Sequence, residues 1–70
     1  MRINENDTRY AKYLITLLRA DIDAIEKDLR EGSMSRPKVA TLKADALLLD
    51  DMSEHVRNRY VEGLRDRAKH

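Results

Sequence analysis

The sequence predicts an all-α protein, an antiparallel helical hairpin with helices at about 8–31 and 36–67. Three observations carry this. Apolar residues recur at alternating spacings of three and four along two long segments, the period of a helix packed lengthwise on another helix. Gly32 and Pro37 punctuate the chain between the segments. Folded back on each other, the two segments set apolar residue against apolar residue.

Residues 1–6 are polar and are expected to fray. Asn6, Asp7 and Thr8 are each able to cap the first helix by accepting a hydrogen bond from its free N–H groups, and Asp7 is taken as the cap. Ala11, Ile15, Leu18, Ile22, Ile25 and Leu29 then form the predicted seam. Gly32 ends the helix, because glycine enters the left-handed conformation without a steric penalty.

Ser35 is placed to cap the second helix, with Pro37 in the first turn, where a missing N–H costs nothing. Its predicted seam is Val39, Leu42, Ala46, Leu49, Ser53, Val56, Tyr60 and Gly63, with Met52 and Leu64 beside the two weakest members. Asp51, three residues before Glu54, resembles a capping box, so 51–53 is the place where a break is foreseen; the unbroken period favours one continuous helix. A short turn forces the helices to run antiparallel, so residues whose numbers sum to 67 or 68 should face each other: Leu29 with Val39, Ile25 with Leu42, Ile22 with Ala46, Leu18 with Leu49. The second helix should overrun the first by roughly 6–8 residues, or about 10 Å.

Seventy residues make a single domain, 1–70, at a size where one core supplies only ~3–5 kcal/mol without disulfides, a metal or oligomerisation. There is no cysteine, and His55 and His70 are too few for a histidine metal site. Self-association is the remaining support. Leu14, Leu17, Leu47 and Leu48 lie outside the predicted seam, and burying such a set contributes ~10 kcal/mol before association costs. The expectation is a homodimer of hairpins, a four-helix bundle, with those leucines at the oligomer interface.

Composition excludes several classes. The net charge of +1 supplies no global field for nucleic acid or an anionic membrane. Apolar runs such as LITLL fall far short of the ~20 residues that span a bilayer, and the polar start MRINENDTR has no signal-peptide core, so a soluble cytoplasmic protein is expected. Ser33, Ser35 and Ser53 have no nucleophile elbow or glycine-rich oxyanion loop beside them, so no enzyme activity and no cofactor are expected. Asp51 and His55 share a helix face but are only two potential ligands.

Charge is nevertheless uneven. Residues 20–34 carry net −3 and residues 55–70 net +3, which the hairpin sends to opposite ends. Arg9, Tyr10, Lys12, Tyr13, Arg57, Arg59 and Tyr60 thereby gather at the open end as the candidate ligand or partner surface, with all three tyrosines of the chain among them. Guanidinium groups fork phosphate oxygens and aromatic rings stack on bases, so this end suits a nucleotide or nucleic acid as well as a protein. The expected function is a small non-enzymatic interaction protein, an inhibitor, adaptor or regulator of the kind found among bacterial and phage accessory proteins, with a protein partner. The alternative is a nucleotide or nucleic-acid binder.

Overall fold

The computed structural model describes residues 3–68, with side chains as far as residue 64. Two helices, α1 (Glu5–Arg30) and α2 (Arg36–Ala68), pack against each other as an all-α hairpin.

Helix α1 begins three residues before the expected start, inside the segment expected to fray. Asn4, not Asp7, is the N-cap: its side-chain oxygen accepts the Asp7 N–H at 2.8 Å, and its carbonyl accepts the Thr8 N–H at 3.0 Å. This choice places Glu5 and Asp7 in the first turn, where negative charge meets the positive end of the helix dipole. At the other end Gly32 takes φ +77°, the Gly32 N–H donates to the Leu29 carbonyl at 3.0 Å, and the Ser33 N–H reaches back to the Asp28 carbonyl at 2.9 Å. These two bonds make a Schellman motif, and the turn is five residues, 31–35.

Ser35 caps α2 as expected, its hydroxyl accepting the Lys38 N–H at 3.4 Å. The helix runs without a break through 51–53. There the Ser53 hydroxyl donates back to the Asp50 carbonyl at 2.8 Å, within the helix, and Asp51 starts no new one.

The helices meet on a face turned away from the predicted seam. Residues withdrawn from solvent on α1 include Asp7, Ala11, Leu14, Leu18, Asp21, Ile25 and Asp28; those on α2 include Leu42, Asp45, Leu49, Met52 and Val56. Ala11, Leu18, Ile25, Leu42, Leu49 and Val56 belong to both the expected and the observed face. Ile15, Ile22, Leu29, Val39, Ala46 and Tyr60 were expected inside and are exposed instead. Each helix is thus rotated by about 50°, half the angular step between successive residues of a heptad.

The register moves with the rotation. Asp7 pairs with Arg59, Asp28 with Lys38 at 2.8 Å, and Asp21 lies beside Asp45, so facing residues sum to 66 rather than 67 or 68. The physical reason is that this rotation closes two ion pairs between the helices and encloses Leu14 in place of Ile15. In that register Glu5 lies level with Val61, and α2 continues about 10 Å beyond α1 at ~1.5 Å per residue, the overhang that was expected.

Candidate functional site

Two heptad columns build the inter-helix face, and the sequence spells them at seven-residue spacing. Residues 7, 14, 21 and 28 read Asp, Leu, Asp, Asp; residues 59, 52, 45 and 38 read Arg, Met, Asp, Lys. Position by position they give an ion pair, an apolar layer, an acid pair and a second ion pair. A stripe search confined to apolar residues passes over these columns, yet the charged residues at positions 7, 21 and 28 carried the signal.

Asp21 is the titratable group whose surroundings shift it. Asp21 is held above the ordinary carboxylate value of 3.8, first by its hydrogen bond with Asp45, then by burial, then by the neighbouring negative charge. Its Oδ2 is shut off from solvent and has no donor to accept from. A proton on Asp21, donated to the Asp45 carboxylate, satisfies both groups.

At the open end the structure separates the candidate residues. Arg59 crosses between the helices to Asp7 and is a tie of the hairpin rather than a free cation. Arg9 pairs with Glu5 one turn earlier on its own helix at 2.9 Å, with both side chains largely in solvent, a contact worth little. Lys12 and Arg57 are exposed. Tyr10, Tyr13 and Tyr60 are exposed too, so Tyr60, half accessible at 50%, is not a lid on the core. By helical position Tyr10 and Tyr13 sit together on one side of α1, whereas Tyr60 lies on the opposite flank of the hairpin, nearer Lys12 and Arg57. The seven residues share an end but not one surface.

The predicted leucine patch is corrected in part. Leu14 is fully enclosed between the helices at 0% exposure and presents nothing to another molecule; Leu17 is half-buried. Leu47 and Leu48 are exposed, but as adjacent residues they point about 100° apart. The four therefore form no common patch. The turn end is less acidic than α1 alone suggests: Lys38 of α2 pairs with Asp28, and Arg36 and Lys43 add two further positive charges along the same stretch. Acidity lies instead in the middle of α2, at Asp45, Asp50, Asp51 and Glu54.

A different apolar surface emerges. Reversal of chain direction puts positions 8, 15, 22 and 29 of α1 on the same flank as positions 39, 46, 53 and 60 of α2. These are Thr8, Ile15, Ile22, Leu29, Val39, Ala46, Ser53 and Tyr60, and none is charged. All but Thr8 are exposed. The opposite flank, with Tyr10, Leu17 and Leu48, is interrupted by Glu31, His55 and Glu62.

Among the described residues no cluster of three or more His, Asp or Glu side chains could hold a metal ion, and no helix is long and apolar enough to cross a membrane. In comparisons with known proteins, no protein-family model, curated protein or solved structure matches this chain.

Proposed function

We propose that the chain is a small non-enzymatic interaction protein of the cytoplasm, an inhibitor, adaptor or regulator that acts by covering a surface of another macromolecule and that self-associates as a dimer. One observation carries the reading. Leu14 and Val56 are the only buried hydrophobic residues among those described, while Ile15, Ile22, Leu29, Val39, Leu47 and Leu48 remain exposed on the same hairpin. Exposed apolar surface on this scale is characteristic of proteins that function in contact with others.

A second reading, binding of a nucleotide or nucleic acid, is favoured by the exposure of Tyr10 and Tyr13 near Arg9. Purification of the tagged chain from its native host, with mass spectrometry of bound proteins and of extracted nucleotides, separates the two. The first reading expects a stoichiometric protein retained in high salt. The second expects nucleotide material released steeply by salt and lost on Tyr13→Ala. Recovery of the chain alone, from lysates where it is expressed at its natural level, contradicts both.

A further inference from the structure

The uncharged flank has a definite geometry. Bulky Ile15 and Ile22 line its α1 side, and level with them on the α2 side stand the small Ser53 and Ala46. Along its outer edges run Lys12, Arg19 and Glu26 on α1 and, level with them, Arg57, Asp50 and Lys43 on α2.

The surface area indicates how much of the molecule awaits cover. A compact folded monomer of 8.2 kDa exposes ~4,500 Å² by the usual scaling of area with mass. The hairpin exposes 5994 Å², an excess of roughly 1,500 Å². A stable interface takes ~800 Å² from each partner, so the excess is ample for one.

We propose that the flank formed by Ile15, Ile22, Leu29, Val39, Ala46 and Tyr60 is the docking face for a second copy of the chain, and that α1 of each copy lies over α2 of the other. This deepens the reading above, since it rests on self-association and names the face and the arrangement. A second copy is the occupant that the surface specifies. It carries the same seven-residue repeat, so its side chains arrive at matching intervals along both helices. Laid α1 over α2, it sets Ile22 on Ala46 and Ile15 on Ser53 of the second copy, large residues against small ones. The same placement brings Arg19 opposite Asp50 and Glu26 opposite Lys43 at the rim, opposite charges in both cases. Lys12 and Arg57 meet as like charges at the open end, where the bundle is least covered. Stacking α1 over α1 instead would set isoleucine on isoleucine and leave the small residues facing each other across a void.

Sedimentation equilibrium of the full chain, from micromolar to submillimolar concentration, tests the proposal. The wild type should weigh twice 8.2 kDa, with a melting temperature that rises with concentration. Ile22→Glu should weaken association by ~30-fold or more, as loss of a central anchor does, while Leu48→Glu and Leu47→Glu leave it unchanged. Arg19→Glu should weaken it by a smaller factor, and adding Asp50→Arg in the same chain should restore it. A wild type that stays at 8.2 kDa throughout overturns both the face and the dimer. A dimer that survives Ile22→Glu but dissociates with Leu48→Glu overturns the face while leaving self-association standing. Failure of Asp50→Arg to restore the Arg19→Glu variant overturns the α1-over-α2 arrangement. Neither of the last two results touches the capture of a macromolecular partner, which is measured separately.

Discussion

Asp21 shows how a single acid sets the pH response of a small fold. Because its proton is held above the ordinary value of 3.8, the folded chain binds that proton more tightly than the unfolded chain does. Its contribution to stability is therefore complete below that value and declines as pH rises through the raised one. Asp21→Asn, which supplies a donor to Asp45 at every pH, should raise the melting temperature at pH 7 and flatten the decline that sets in above pH 3.8 in thermal melts followed by circular dichroism. Leu14 is the opposite sort of residue, apolar and fully enclosed. Leu14→Ala should cost ~2–5 kcal/mol, comparable to the stability of a domain this small, whereas Leu47→Ala should stay within ~0.5 kcal/mol in urea unfolding.

At the scale of the element, the two glycines should respond in opposite directions to the same change. Gly32 holds a positive φ at the helix end, and a Cβ there meets no neighbour, so Gly32→Ala should cost about 1–2 kcal/mol of pure backbone strain. Gly63 stands inside α2 with open space beside it, and Gly63→Ala should add about 0.5–1 kcal/mol. Chemical denaturation of the two variants side by side checks both signs. The helices, the glycine stop, the Ser35 cap and the continuity of α2 were all legible, because each rests on chemistry local to a few residues. The rotation was not. Ile15 and Leu14 are equally apolar, and a search for apolar seams has no reason to prefer Leu14 until Asp7, Asp21 and Asp28 are counted as partners rather than as surface. The open-end site suffered similarly: nearness along the axis was readable, but Arg59 was already committed to Asp7.

For the whole molecule, elongation is the dominant property. The radius of gyration is 17.0 Å and the long dimension 61 Å, against ~11 Å for the radius of a compact chain of this length. Small-angle X-ray scattering discriminates modes of association by this shape. If copies stack flank to flank, the mass doubles while the maximum dimension stays near 61 Å; an end-to-end contact would lengthen the particle instead.

The five-residue turn also determines the order in which the chain can assemble. Asp28 and Lys38 are separated by 10 positions, Asp7 and Arg59 by 52, so each step outward from Gly32 closes a longer loop than the last. Closure near the turn is entropically cheap and brings the next pair within reach, and the hairpin should zip from there toward its open end. Stopped-flow kinetics should then divide the variants: Gly32→Ala slows folding with little effect on unfolding, and Arg59→Ala speeds unfolding with little effect on folding. The open end, with its tyrosines and arginines, would be the last part to form and the first to come apart.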